Sequence, residues 1–234
     1  MKRVLILNSK GGCGKTTIAT NLAGYYASAG TPTALLDYDP QGSSKRWLEL
    51  RPERFSQIHG VFAGKPTQMG MTRSFALRIP QGTQRTIVDT PASMKRLEMM
   101  EMLRSASAII VPVLPSAIDR HVTLDFLKEL TALCRQMSVE VPLGIVANRV
   151  RLNTRSFANL REILTHLEMP LVAYLRDTQS YVRAAEEGCS IVELKDASLK
   201  KEMLQWSALI YWLETGRIPP HLRPGPCDRV SLQV

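Results

Sequence analysis

The sequence predicts an α/β protein with a doubly wound, mostly parallel β-sheet and helices on both faces. Short apolar and β-branched runs alternate with longer segments of helical periodicity along most of the 234 residues, which is typical of strand–helix–strand units. The runs are apolar throughout rather than alternating, as expected for strands covered by helices on each side. Ligands of such folds bind at the carboxyl ends of the strands.

The individual elements follow from these runs in chain order. RVLIL at 3–7 and TALLD at 33–37 predict the first two strands, and the segment 16–29 between them has the periodicity of a helix. Residues 41–84 are less regular, with a helix expected around Trp47 and then a mixed region rich in Gly, Met and Gln. Further strands are predicted at 85–89, 108–114, 143–148 and 171–175, and further helices at 92–105, 117–137, 154–167 and 197–215.

The end of the chain differs in composition from the rest. From Pro219 onward, PPHLRPGPCDRVSLQV contains four prolines and predicts a disordered tail. We therefore expect one domain at residues 1–216 and a Pro-rich tail at 217–234.

Charge and cysteine content narrow the possible partners and the compartment. Thirty Lys and Arg against 21 Asp and Glu give a net charge of +9, which favours an anionic partner such as nucleic acid, an acidic membrane or an acidic protein. The four cysteines are scattered without C-x-x-C spacing, which argues against a disulfide framework and fits a reducing cytoplasm. No apolar run is long enough to span a bilayer.

The glycine-rich stretch NSKGGCGKTTI at 8–18 follows the first strand and opens the first helix. It departs from the pattern G-x-x-x-x-G-K-[ST] because Ser9 stands where the first glycine belongs, and a second lysine, Lys10, follows. Glycines let the backbone curl so that its N–H groups converge on phosphate oxygens, helped by the positive helix N-terminus. The residues predicted to form this cradle are Gly11, Gly12, Cys13 and Gly14.

The residues that follow complete a nucleotide site. Lys15 can bridge the β- and γ-phosphates, the Thr16 hydroxyl can ligate Mg²⁺, and Thr17 can reach the α-phosphate. The competing dinucleotide fingerprint G-x-G-x-x-G would use Asp37 for a ribose contact. That fingerprint is incomplete, because Thr17 stands in the place of its third glycine.

Two acidic residues are expected at the same edge of the sheet. Asp39 lies just past the second strand in LLDYDPQGSS, and Asp89 ends the third strand in TIVDTPAS. A carboxylate there can hold Mg²⁺ directly or through water, or can orient an attacking water. The alternative for each is an aspartate that only caps a turn or a helix.

KGGCGKTT, DYDPQGSS, IVDTPA and VANRV occur in that order, and with them residues 1–215 resemble the ParA/MinD group of deviant Walker-type ATPases. The resemblance implies a P-loop NTPase fold with ATP and Mg²⁺ as cofactors. It implies that Lys10 crosses a dimer interface to the partner's nucleotide phosphates, that Asp39 positions the hydrolytic water, and that Asp89 is the Walker B-type carboxylate. Asn148 would meet the adenine edge, since an amide both donates and accepts hydrogen bonds.

Within this group the sequence resembles the small ParA-type positioning ATPases. YLRDTQSYVRAAEEG and the Trp-containing last helix resemble the branch that distributes protein cargoes, including McdA-type carboxysome positioners. The prolines of the tail argue against the terminal amphipathic helix with which MinD proteins hold a membrane, so no membrane partner is expected.

The leading hypothesis is therefore a cytoplasmic, nucleoid-associated ATPase that hydrolyses ATP slowly by itself. It would form a sandwich homodimer in the ATP state, bind DNA non-specifically, and position a plasmid, a chromosome region or a protein assembly through a cargo-adaptor protein that stimulates hydrolysis. The predicted DNA contacts are Arg183, Lys200 and Lys201, unless these are only a solvated basic face. The alternative is a metabolic or maturation ATPase or synthetase of the same fold, with a small acidic substrate.

Overall fold

The computed structural model describes residues 1–64 and 78–223, and its strands form one sheet in which all paired neighbours are parallel. The predicted fold class is confirmed. The strands are β1 (Lys2–Ile6), β2 (Thr33–Asp37), β3 (His59–Phe62), β4 (Arg85–Asp89), β5 (Ala108–Val113), β6 (Leu143–Val150) and β7 (Leu171–Arg176). Their order across the sheet is β3-β2-β4-β1-β5-β6-β7.

Helices cover both faces of this sheet, because successive strand residues point to opposite sides. The helices are α1 (Lys15–Ser28), α2 (Ser43–Leu50), α3 (Arg96–Arg104), α4 (Ala117–Gln136), α5 (Arg155–His166), α6 (Ser180–Glu186) and α7 (Lys200–Thr215). In β1, Leu5 belongs to the core that includes α3, α4 and α5, whereas Val4 and Ile6 belong to the core that includes α1, α2 and α7.

The topology gathers the predicted functional segments at one edge. β1 lies between β4 and β5, and the register pairs Ile6 with Asp89 and Asp37 with Asp89. The loop that follows β1, the turn that follows β2 and the last residue of β4 are therefore neighbours at the carboxyl edge of the sheet.

Three elements differ from the sequence prediction. β3 was not predicted as a strand, because only Val61 of its four residues is buried and HGVF has no apolar run. The seven-residue α6 was not predicted as a helix, since Ala184 is its one buried residue. Helix α3 begins at Arg96 rather than at residue 92, and the Glu98 carboxylate accepts a hydrogen bond from the Lys95 N–H at this end.

A buried ion pair fastens the end of α2 to the segment that follows α6. The Arg51 guanidinium donates to both carboxylate oxygens of Glu193, at 2.6 and 3.0 Å, and the two side chains are only 6% and 4% exposed. Glu193 also accepts hydrogen bonds from the N–H and the hydroxyl of Ser190. Nearby, Trp47 donates its indole N–H to the carbonyl of Cys189. Helix α2 is thus held against the segment that follows α6.

The end of the chain is described as far as Arg223. Pro220–Leu222 form a 3₁₀ turn, and residues 224–234 of the predicted tail lie outside the described residues, as do residues 65–77 of the irregular region. The limits proposed for the domain and the tail stay a prediction. In the described ranges no helix combines the length and apolarity that a bilayer crossing requires.

Candidate functional site

The loop between β1 and α1 has the curled backbone that the sequence predicts. Gly12 and Gly14 adopt φ values of 72° and 94°, in the left-handed region that favours glycine. A Cβ at Gly14 would also collide with the side-chain amide of Asn148. Gly14 is the N-cap of α1 and supplies no side-chain acceptor, so the first N–H groups of the helix are available to an anion.

Lys15 lies across its own loop. Its side chain is buried, and Nζ donates to the carbonyl oxygens of Asn8 at 3.1 Å and Lys10 at 3.0 Å. The ammonium is therefore already positioned inside the loop, where a bound phosphate would meet it.

Two asparagines tie the loop to the neighbouring strands β5 and β6. Asn8 donates to the carbonyl of Pro112 in β5 at 2.7 Å and accepts from the N–H of Lys10 at 2.9 Å. Asn148 of β6 donates to the carbonyl of Cys13 at 2.8 Å, while its own oxygen accepts from the Arg149 N–H. The sequence reasoning missed the role of Asn8. The adenine contact expected for Asn148 stays a prediction, and here its amide supports the loop.

Cys13 contributes its backbone to the loop, rather than a reactive thiol to the site. Its side chain is 1% exposed and its thiol donates to the Lys10 carbonyl. Burial raises the pKa of this thiol above the ordinary value, although the nearby Lys15 ammonium opposes the rise. The group is therefore a neutral thiol at neutral pH, and it packs under the loop.

Asp89 is a buried carboxylate with one oxygen engaged. Ser44 donates its hydroxyl to Oδ2 at 2.7 Å, whereas Oδ1 accepts no hydrogen bond from the described residues. Burial raises the pKa of Asp89 to about 6, while Ser44, the adjacent Thr16 hydroxyl and Lys15 favour the charged form. A carboxylate with one unengaged oxygen and the Thr16 hydroxyl nearby suits Mg²⁺, which prefers oxygen ligands.

Asp39 lies in a turn that a second aspartate organises. Asp37, 2% exposed, accepts from the N–H of Asp39 at 3.0 Å and from the N–H of Lys45 at 2.9 Å. Asp39 itself is half-buried and accepts from the N–H of Gln41. Burial raises the pKa of Asp37, and its two backbone donors offset part of that rise. Asp37 was considered only for a ribose contact; the pattern D-x-D followed by Pro and Gly is the signal that could have revealed its structural role.

Lys10, Thr16 and Thr17 complete the loop region, and all three side chains are half-buried. The carbonyl of Thr17 accepts a hydrogen bond from Asn21. Thr16 and Thr17 also line a cavity of about 380 Å³ that extends between α1, α2 and α6. The structure thus brings together the predicted loop residues, Thr16 and Asp89, with Asp39 on the adjoining turn.

The predicted DNA contacts lie on α6 and at the start of α7, and this surface is less uniformly positive than expected. Arg183 of α6 forms ion pairs with Asp196 at 3.2 Å and Glu187 at 3.4 Å. Lys200 and Lys201 are exposed at the start of α7. The two ion pairs therefore reduce the net charge that Arg183 brings to this surface.

Residues 4–191 match the CobQ/CobB/MinD/ParA nucleotide binding domain family. The chain is 27% identical over 191 residues to the maintenance of carboxysome distribution protein A of Halothiobacillus neapolitanus, covering 81% of this chain and 86% of that protein. It is 29% identical over 205 residues to the protein of the same description from Gloeobacter kilaueensis, covering 85% and 87%.

Solved structures share the fold. A plasmid partition protein of Borrelia burgdorferi bound to AMPPNP superposes with a TM-score of 0.66 at 17% identity, covering 90% of this chain and 98% of that chain. The septum site-determining protein MinD of Pyrococcus horikoshii with Mg-ADP gives a TM-score of 0.66 at 16% identity, covering 92% and 96%. With the match over residues 4–191, the chain belongs to the CobQ/CobB/MinD/ParA family of nucleotide-binding domains.

Proposed function

We propose that this protein is a Mg²⁺-dependent ATPase of the ParA type that forms an ATP-dependent sandwich dimer, binds DNA non-specifically and positions a cargo. A cargo-bound adaptor would stimulate hydrolysis. The observation that carries the proposal is the meeting of a glycine loop, the inward ammonium of Lys15 and the Asp89 carboxylate oxygen that accepts no hydrogen bond from the described residues.

The loop would hold the triphosphate through its backbone N–H groups and Lys15. Thr16 and Asp89 would hold Mg²⁺, which neutralises charge on the β- and γ-phosphate oxygens when bound. Asp39 would orient the attacking water. This role is supported by the rigid turn that Asp37 organises, since catalysis needs a fixed carboxylate more than a mobile one.

Lys10 would act on the nucleotide of the other subunit. Its N–H is held by Asn8, so the backbone from which the side chain extends is fixed. A cation supplied from outside accelerates related phosphoryl transfer by roughly 10³–10⁵. Dimerisation and hydrolysis would then depend on the same lysine.

Binding to DNA is supported by the net charge of +9 and by exposed Lys200 and Lys201. A monomer with few phosphate contacts binds weakly, whereas a dimer doubles them on one rigid body. ATP would thereby control attachment to the nucleoid. The similarity to carboxysome distribution proteins supports a protein assembly as cargo.

One experiment tests these steps together. Sedimentation velocity with ATP and Mg²⁺, with and without DNA of arbitrary sequence, should show a dimer for the wild type and a longer-lived dimer for Asp39→Ala, which binds ATP without turning it over. Lys10→Ala should stay monomeric while still binding nucleotide through Lys15. Lys128→Ala, an exposed lysine on α4, is the matched control and should dimerise normally.

A normal dimer of Lys10→Ala would refute the role in trans, and wild-type hydrolysis by Asp39→Ala would refute the role of Asp39. A wild-type protein that hydrolyses ATP but never binds DNA at low salt would favour the metabolic or maturation ATPase with a small acidic substrate.

A further inference from the structure

We infer that Ser44 is a positioning residue for the metal: its hydroxyl holds one oxygen of Asp89 so that the other is presented to Mg²⁺. The inference rests on the proposed function, because it concerns the Mg²⁺ site of the proposed ATPase. It adds a residue from α2 to a site otherwise formed by the loop and β4.

The geometry at Asp89 is asymmetric. Ser44 is 0% exposed and Asp89 is 1% exposed, and the Ser44 hydroxyl lies 2.7 Å from Oδ2. Within the described ranges Oδ1 accepts no hydrogen bond, and the Thr16 hydroxyl is close enough to the carboxylate to favour its charged form. A buried acceptor without a partner is costly, and a cation held between Thr16 and Oδ1 would satisfy it.

The local backbone explains why Ser44, and not Ser43, reaches Asp89. Gly42 turns the chain with a φ of 65° and its N–H donates to the Asp39 carbonyl. The N–H of Lys45 is held by Asp37, which pairs with Asp89 across the sheet. The first turn of α2 is thereby fixed against the end of β4, with Ser44 inward and Ser43 exposed.

The hydrogen bond has two consequences for the site. It removes the freedom of the carboxylate to rotate, so that Oδ1 keeps one direction. It also joins Asp89 to the turn that carries Asp39, because Ser44 and Asp39 belong to the same short segment. A metal held by Asp89 would therefore order the residue proposed to orient water.

The test compares Ser44→Ala with Ser43→Ala, which removes the neighbouring exposed hydroxyl. The affinity for a fluorescent ADP analogue is measured in EDTA and then across a Mg²⁺ titration, so no turnover is needed. Partners of metal ligands typically contribute 10–100-fold to metal affinity, so Ser44→Ala should need about tenfold more Mg²⁺ for the half-maximal effect. Its metal-free ADP affinity should match that of the wild type, and Ser43→Ala should match in both.

If Ser44→Ala does not fold, Ser44→Cys keeps the shape with a weaker donor and should shift the Mg²⁺ requirement in the same direction. An unchanged Mg²⁺ requirement in either folded variant, with normal binding by the wild type, would overturn the role of Ser44 alone. A wild type that binds no ADP at all would instead overturn the proposed function.

Discussion

Replacing Asp89 by asparagine should stabilise the ligand-free protein, and the gain should depend on pH. Burial raises the pKa of this carboxyl to about 6 from an ordinary 3.8. Keeping the group charged at neutral pH therefore lowers the free energy of unfolding. At about 1.4 kcal/mol for each tenfold change in proton affinity, the penalty is about 3 kcal/mol. Asparagine has the same shape, can accept the Ser44 hydrogen bond and carries no such penalty.

The sign of the pH dependence follows from proton binding. Between about pH 4 and pH 6 the folded state holds the Asp89 proton more firmly than the unfolded state does, so stability falls as pH rises through this window. The advantage of Asp89→Asn should therefore be close to about 3 kcal/mol at pH 7.5 and about half of that at pH 5. Urea unfolding at the two pH values, in EDTA and without nucleotide, measures both numbers.

The control is Asp125→Asn, which changes an exposed carboxylate on α4 and should alter stability by less than about 0.5 kcal/mol at either pH. The reasoning fails if Asp89→Asn is no more stable than the wild type at pH 7.5, or if its advantage is the same at pH 5. The first result would mean that Lys15, Thr16 and Ser44 already compensate the buried charge.

Two further predictions concern charged side chains. Glu193→Gln leaves the Arg51 guanidinium buried without a counter-charge and should lower the free energy of unfolding by about 3–5 kcal/mol. Glu49→Gln breaks the exposed pair with Lys45 and should cost less than about 1 kcal/mol; similar losses for both in urea unfolding would contradict the assignment of a buried pair. In salt titrations of DNA binding with ATP, Lys200→Glu with Lys201→Glu should reduce the log–log slope by about 0.9 for each lost phosphate contact. Arg183→Glu should change it less, because Asp196 and Glu187 already neutralise this arginine, and an equal effect of Arg183→Glu would show that those ion pairs open on DNA.

The central sheet and the loop were predictable because their signals are local. A strand buried on both faces needs a continuous apolar run, and a phosphate loop needs glycines directly before a helix. Strand β3 lacked that signal, since it is an edge strand with one buried side chain. Helix α6 lacked it as well, because its position depends on packing near Trp47 and Cys189.

The contacts between residues far apart along the chain could not be predicted from the sequence. Ser44 reads as an ordinary serine in a turn, and only the pairing of β2 with β4 brings it to Asp89. The ion pair of Arg183 with Asp196 is also non-local, since the two residues are thirteen positions apart, whereas its i,i+4 pair with Glu187 is local. The chemistry of the side chains indicates the candidate site residues, whereas the fold determines which of them come into contact.

The ammonium of Lys15, folded onto the carbonyls of its own loop, holds the empty site in a shape that suits a ligand. Its contacts with the carbonyls of Asn8 and Lys10 use two of its three N–H donors, so an arriving phosphate can accept from the third without displacing either carbonyl. The two contacts keep the loop in shape before a ligand arrives, so a nucleotide meets a prearranged cradle and loses less chain entropy on entry.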